Sequence, residues 1–217
     1  MTHRREFLAK MGVLAGAMAI DPDELRAIPV SPGSSWDTSW IDALAAAKYR
    51  VVFNANEVAD GAAMFFARQF LDDYHEVHGT ADSSTRAAIV FRAAGVPMAF
   101  NDGVWERYAV GEDVKLADPD TRRSAKRNIF WRAKQGSSLE DLSLALQTLQ
   151  QRGVISLVCN IALGRWSDRT ASRLHLEAAA VRADVAGNLV PGAIIVPSGV
   201  FALIRAQNAG CAYMPGA

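Results

Sequence analysis

The sequence has 217 residues, of which 50% are hydrophobic, and its 23 basic residues balance 23 acidic ones to a formal net charge of zero. This composition excludes disordered, collagen-like and coiled-coil chains. A balanced charge argues against a nucleic-acid-binding protein, which needs a clustered basic face. Two cysteines are too few for a disulfide scaffold, and no apolar run reaches the roughly 18 residues of a membrane span. The chain is predicted to fold as a globular domain.

The N-terminus has the features of an export signal. Arg4 and Arg5 precede a short, mostly apolar stretch that ends in Ala17-Met18-Ala19, a small-x-small pattern typical of signal-peptidase cleavage. The segment resembles a twin-arginine signal, which a receptor reads as an address. An amphipathic helix that begins with two arginines is the alternative. We therefore expect residues 1–19 to be removed and the protein to be periplasmic, exported by the twin-arginine route, with no stable membrane insertion afterwards.

The next segment, residues 20–47, is rich in turn-forming and polar residues and contains Pro22, Pro29 and Pro32. Such a composition is typical of a linker or an extended N-terminal arm. The folded domain is therefore predicted to cover residues 48–217, as a single unit.

Within that domain, short apolar and β-branched runs predict about five strands. The runs are Arg50–Asn54, Ala87–Ala93, Val154–Cys159, Ala193–Val196 and Cys211–Met214. Helical patterns lie between them, at Asp60–His78, Met98–Tyr108, Ser137–Arg152, Thr170–Ala186 and Val200–Asn208. Alternating strands and helices predict an α/β fold, a three-layer sandwich with a mostly parallel sheet.

A polar, irregular insertion is predicted at residues 110–136, and it carries a basic cluster between Arg122 and Lys134. The cluster could bind an anionic substrate or an acidic partner. The alternative is a solvated surface whose basic residues pair with acids such as Glu112 and Asp113. The aromatic residues that flank the insertion are predicted to be core residues rather than the lining of a pocket. They are Trp105, Tyr108, Phe130 and Trp131.

Several polar residues follow the predicted strands, where the ligand crevice of a parallel α/β sheet lies. Asn54 ends the first strand, Cys159 and Asn160 end the third, and Ser198 and Gly199 follow the fourth. Ser198 also opens a helix, whose free N–H groups attract anions and favour a thiolate. Cys159 is therefore a candidate nucleophile, although a free cysteine at such a position is commonly a packed core residue.

The C-terminal segment carries a family resemblance. The run Val196–Gln207, with its Pro-Ser-Gly-Val turn, followed by Gly210–Tyr213, resembles the closing segment of the DsrE/DsrF-like family. The strand Leu157–Asn160 is similar to that family's cysteine-bearing strand, and the resemblance covers about residues 48–215. It implies a Rossmann-like fold, a homo-oligomer such as a trimer or hexamer, and sulfur carried as a persulfide on Cys159.

Under this resemblance, the chain is a sulfur carrier or a sulfurtransferase-like enzyme that works with a sulfur donor or acceptor protein. Asn54 or Asn101 would donate hydrogen bonds to the bound sulfur, and the helix that begins at Ser198 would stabilise the anion. The chain departs from the best-known relay members in its export signal and its longer insertion. A non-catalytic oligomeric binding or structural subunit, with Cys159 as a packed residue, is the alternative.

No cofactor or metal is expected. Gly61 stands alone after the first strand, so the sequence lacks a glycine-rich phosphate loop. His75 and His78 lie on one helical face but have no third ligand, and a solvated surface is the better interpretation. In a parallel sheet Cys159 and Cys211 would lie at opposite edges, which predicts two free thiols; an antiparallel last strand would bring them to the same edge.

Overall fold

A computed structural model describes residues 36–216. The predicted signal peptide and residues 20–35 of the predicted arm lie outside the described residues. Five strands form one sheet, in which every neighbouring pair is parallel, in the order β4-β3-β2-β1-β5. They are β1 (Tyr49–Ala55), β2 (Thr85–Phe91), β3 (Ile155–Cys159), β4 (Ile194–Val196) and β5 (Ala212–Pro215). The predicted α/β fold with a parallel sheet is confirmed.

The sheet is buried on both faces, which explains why its inner strands are continuous apolar runs. Val51 and Phe53 of β1 point into one hydrophobic cluster, whereas Val52 between them points into the other. The same alternation holds in β2, where Ile89 and Val90 belong to different clusters. Two separate cores, one on each side of the sheet, therefore hold the three layers together.

Residues 36–216 form nine α-helices, with the following bounds: α1 Ser39–Ala45, α2 Ala62–His78, α3 Asp102–Arg107, α4 Val110–Asp113, α5 Leu139–Leu144, α6 Leu146–Gln151, α7 Asn160–Leu174, α8 Ala178–Gly187 and α9 Gly199–Asn208. Helices α1 and α9 cover one face of the sheet, and the connections β1–β2, β2–β3 and β3–β4 cover the other. None of these helices is long and apolar enough to cross a membrane.

Helix α1 corrects part of the predicted arm, because residues 39–45 belong to the fold rather than to a linker. Trp40 and Leu44 lie one helical turn apart and are 1% and 0% exposed. Both pack against the side of the sheet that α9 covers. Their i, i+4 spacing is the sequence signal of this apolar face.

Two predicted helices are each interrupted. The helix predicted over Thr170–Ala186 is in fact the pair α7 and α8, and the break falls at His175, which has a left-handed φ of 55°. The helix predicted over Ser137–Arg152 is the pair α5 and α6, separated by the extended backbone of Ala145. Helix α5 begins with a capping box, in which Ser138 and Asp141 are the two partners.

The insertion at residues 110–136 is less irregular than predicted, because it begins with α4 and its later part enters the core. Asn128 is 1% exposed and donates hydrogen bonds from Nδ2 to the carbonyl oxygens of Met98 (2.8 Å) and Phe100 (2.6 Å). Phe130 and Trp131 follow it and are also buried. Burial is confirmed for all four flanking aromatic residues, although Phe130 also lines a cleft.

Three basic residues of the insertion, Arg127, Arg132 and Lys134, pair with acids of the same chain, as the solvated alternative predicts. The acids differ from Glu112 and Asp113, however. Asp118 accepts from Nε of Arg127 at 3.0 Å, and Asp120 lies 2.9 Å from Nζ of Lys134. Asp113 instead accepts a hydrogen bond from the indole of Trp166.

Candidate functional site

The carboxyl ends of the five strands form one edge of the sheet, and the register fixes which residues meet there. Asn54 lies opposite Pro215 of β5, and Cys159 lies opposite Val196 of β4. The chain runs from β1 to β4 in one direction across the sheet and then returns over the other face to β5. This reversal makes the β1–β5 position the topological switch point of the sheet, which is where the ligand crevice of open parallel sheets lies.

Cys159 ends β3 and is also the N-cap of α7. Its Sγ atom accepts a hydrogen bond from the backbone N–H of Ala162 at 3.4 Å. Helix α7 has 15 residues and no acidic residue in its first turn. The sulfur thus faces an N–H donor at the positive end of a helix. The side chain is 6% exposed, so the sulfur lies below the surface.

Asn160 is the first residue of α7, and its side chain is already engaged. Its Oδ1 atom accepts a hydrogen bond of 2.6 Å from Nη2 of Arg182 on α8. The Nη1 atom of the same guanidinium is buried and has no hydrogen-bond partner among the described residues. The guanidinium therefore lies next to the beginning of the helix that Cys159 caps.

Asn54 belongs to a polar chain at the β1–β5 crevice. Its Nδ2 atom donates to the hydroxyl of Tyr213 at 3.1 Å, and its Oδ1 atom accepts from Arg92 at 3.4 Å. Arg92 directly follows β2, and its side chain packs against Gly199. A Cβ added at position 199 would lie 2.8 Å from Cδ of Arg92. The structure thus brings Asn54 and Gly199 together through Arg92.

Arg92 was missed in the sequence, because the predicted strand Ala87–Ala93 included it. In the structure β2 ends at Phe91, so Arg92 is the first residue after a buried strand. An arginine at the carboxyl edge, next to the N-terminus of α9, gives this crevice a positive potential.

Ser198 is the N-cap of α9, and its Oγ atom accepts the backbone N–H of Phe201 at 3.0 Å. It lies two residues beyond Val196, the strand partner of Cys159. The helix whose N–H group reaches the sulfur is nevertheless α7, which begins right after Cys159. The predicted helix began at Thr170, ten residues after the true start of α7. Anion stabilisation was therefore predicted for α9 alone.

Asn101 is used in local structure. Its Oδ1 atom accepts the N–H of Val104 as the N-cap of α3, and its Nδ2 atom donates to Oδ1 of Asn188 at 3.2 Å. Its backbone N–H donates to the carbonyl of Asn188. These bonds hold α3 to the end of α8.

The two thiols are free, as predicted. Strand β5 is parallel, so Cys211 just before it and Cys159 at the end of β3 lie at opposite edges of the sheet. Burial raises the pKa of Cys211 to about 11, against a smaller opposing effect of Arg50. Cys211 therefore stays a neutral thiol at physiological pH.

Two clefts lie on the side of the insertion, with volumes of about 740 Å³ and about 820 Å³. Cys159 lines neither of them. The larger cleft is bounded by the β1–α2 connection, the insertion and the beginning of α5. Residues 36–216 contain no group of three or more His, Cys, Asp or Glu side chains that could hold a metal ion.

Comparison with protein-family models finds no match, and comparison with curated proteins also finds none. Among solved structures, the chain is similar to a protein of unknown function, MTH1491, from Methanobacterium thermoautotrophicum. The match has a TM-score of 0.41 and 17% sequence identity, and it covers 77% of this chain and 98% of the other.

Proposed function

We propose that this chain is a periplasmic, DsrE-like sulfur-handling protein, either a sulfur carrier or a sulfurtransferase-like enzyme, in which Cys159 holds sulfur as a persulfide. One observation carries the proposal. The sulfur of Cys159 lies at the carboxyl edge of the sheet and accepts an N–H from the first turn of α7. A cysteine in this position has the electrostatic support that a nucleophilic thiolate needs.

The sulfur transfer is a displacement without net oxidation. The Cys159 thiolate attacks the outer sulfur of a donor persulfide, a new S–S bond forms, and the donor's S–S bond breaks. The donor leaves as a thiolate, and the product is a persulfide on Cys159. An acceptor thiolate removes the same sulfur by the reverse exchange. The N–H of Ala162 and the first turn of α7 stabilise the negative sulfur before and after each exchange.

The burial of Cys159, at 6% exposure, has two consequences. A donor or acceptor protein must displace residues at the carboxyl edge of the sheet to reach the sulfur. Sulfur transfer therefore depends on docking of that protein. The same burial favours the second candidate function, a non-catalytic oligomeric binding or structural subunit in which Cys159 only packs. The sulfur-loading experiment below decides between the two.

The assembly is proposed to be a trimer or hexamer. Support comes from apolar side chains on the outer side of α9 and on the edge strand β5, where Val200, Ile204 and Tyr213 are 56%, 52% and 46% exposed. Exposed apolar residues grouped in this way are typical of contact surfaces. Light scattering of the purified protein should give the mass of several subunits, and a monomer mass would contradict the assembly.

Export is proposed from the paired arginines and the Ala17-Met18-Ala19 cleavage pattern. Replacing both Arg4 and Arg5 by Lys should leave the uncleaved precursor in the cytoplasm, whereas unchanged secretion would contradict the twin-arginine route. This test is independent of the chemistry of Cys159.

The decisive experiment loads the protein with inorganic polysulfide and measures its intact mass. We expect the wild type and Cys211→Ala to gain one sulfur atom, and Cys159→Ser to gain none. Serine is the matched replacement because its hydroxyl can still cap α7, so the fold is retained. If Cys159→Ser gains sulfur as the wild type does, or if Cys211→Ala fails to gain it, Cys159 is not the carrier and the structural function stands.

A further inference from the structure

The larger cleft has the form of a small-molecule site, separate from Cys159. We call it the insertion cleft, and its volume is about 820 Å³. Ligand pockets of roughly 300–1,000 Å³ hold small organic molecules. Its wall comes from three segments that are distant in sequence, the β1–α2 connection, residues 119–138 of the insertion and its flank, and α5 with its junction to α6. The class of ligand can therefore be inferred from the side chains that these segments contribute to the cleft.

The floor of the insertion cleft is aromatic and apolar. Phe65 is 38% exposed although it is a large apolar residue, and Met64 and Phe130 are buried beneath the opening. The backbone reaches the same floor at Gly61, where an added Cβ would lie 2.9 Å from Cε of Met64 and 3.2 Å from Cδ1 of Phe130. A partly exposed aromatic ring over a closely packed base is suited to a flat apolar group.

The charged groups of the rim are mostly compensated within the protein. Asp120 lies 2.9 Å from Nζ of Lys134 and 3.6 Å from Nη2 of Arg127. Asp141 belongs to the capping box of α5. Among the described residues, the side chain of Asp60 makes no hydrogen bond and no ion pair, although it lines the same cleft. The insertion cleft therefore presents one unpaired negative charge beside an aromatic floor.

The backbone holds Asp60 at that place. Ala59 and Asp60 have positive φ values of 34° and 51°, which L-residues adopt rarely, and Gly61 follows at 81°. Backbone in this region persists where the surrounding structure imposes it, and it is concentrated at binding sites. Phe65 also shows that its ring tolerates a cation, because the guanidinium carbon of Arg68 lies 5.2 Å from its centroid.

We propose that the insertion cleft binds a small organic cation, with an apolar or aromatic body on Phe65 and Met64 and an ammonium group at Asp60. Charge complementarity favours this class, because the exposed carboxylate of Asp60 attracts a cation and repels an anion. The inference goes beyond sulfur transfer and does not depend on Cys159.

The test uses benzylamine, which is a cation at neutral pH, and its neutral analogue benzyl alcohol, both titrated into the full chain by calorimetry or ligand-observed NMR. We expect saturable binding of benzylamine, several-fold tighter than of benzyl alcohol. Asp60→Asn should remove that preference, and Phe65→Ala should weaken both ligands. The matched control is Asp73→Asn, an exposed acid farther along α2 that does not line the cleft.

Three results would overturn the proposal: no saturable binding of benzylamine, equal affinity for the two ligands, or the same effect of Asp60→Asn and Asp73→Asn. Circular dichroism of each variant shows whether it is folded. Should Phe65→Ala fail to fold, the comparison of the two ligands on the wild type and on Asp60→Asn decides alone.

Discussion

The sulfur of Cys159 and the backbone N–H of Ala162 form a hydrogen bond of 3.4 Å across the first turn of α7. The residue that ends a central strand is thus also the cap of the following helix. This double role points one of the two thiols toward the positive end of a helix, whereas Cys211 lacks such a donor and has a raised pKa. The two cysteines should therefore differ in reactivity.

We predict that Cys159 reacts with iodoacetamide faster than Cys211 in the native protein at pH 8. With a pKa of about 11, Cys211 is almost entirely protonated at this pH, and the thiolate is the reactive form. The rates are measured separately on Cys211→Ala and Cys159→Ser by mass spectrometry. Unfolding in urea serves as the control and should bring both rates together. Faster native labelling of Cys211 would contradict the assignment.

A second prediction concerns the pH dependence of stability. Burial of Asp184 would raise its pKa, but hydrogen bonds from Arg107 and Tyr108 outweigh burial and hold the pKa below its ordinary value. A carboxyl with a lowered folded pKa stabilises the protein above the pKa of the unfolded chain, about 3.9, and loses that contribution as the pH falls through the folded value.

Asp184→Asn should therefore lower the free energy of unfolding by about 1–2 kcal/mol at pH 7, with a smaller difference below pH about 3. Urea unfolding at several pH values measures this difference. Asp168→Asn, an exposed acid on α7, is the matched control and should change the free energy of unfolding little at any pH. A difference between Asp184→Asn and wild type that is constant from pH 7 to 3 would refute the proposed linkage.

The strands could be predicted because a strand buried on both faces requires an unbroken apolar run. Val51–Phe53 and Ile89–Phe91 are such runs, and each lies within a buried strand. The start of α7 could not, because its cap is a cysteine rather than a residue of the usual capping set. The end of α7 was missed as well, since His175 takes the left-handed conformation that glycine most often adopts at the end of a helix.

The candidate site was predicted in part for a related reason. Strand ends can be located from sequence, so Asn54 and Cys159 were found. Which of them meet depends on tertiary packing, and the contact between Arg92 and Gly199 joins residues more than one hundred positions apart. No local pattern encodes such a contact.

That contact supports a third prediction. An added methyl group at position 199 would lie 2.8 Å from Cδ and 2.9 Å from Cβ of Arg92, so the arginine must move. Gly199→Ala should lower the free energy of unfolding by about 1–3 kcal/mol, and by less in an Arg92→Ala background, where the contact with Cδ is removed and only that with Cβ remains. A double-mutant cycle in urea measures the coupling. Strict additivity of the two substitutions would contradict the contact.

The last prediction tests the connection that follows β2, where the chain passes directly over the end of β1. At Gly95 an added Cβ would overlap the carbonyl oxygen of Ala55 and lie 3.1 Å from that of Glu57. Both neighbours are backbone atoms, which cannot rotate away as the side chain of Arg92 can.

Gly95→Ala should therefore cost about 3 kcal/mol of unfolding free energy, more than Gly199→Ala. The matched control is Gly187→Ala at the end of α8, where nothing lies within 4 Å of the added Cβ. There the methyl group only restricts the unfolded chain and favours the helix, so stability should rise by about 0.5–1 kcal/mol. Equal effects at positions 95 and 187 would mean that the backbone over β1 is looser than these distances imply.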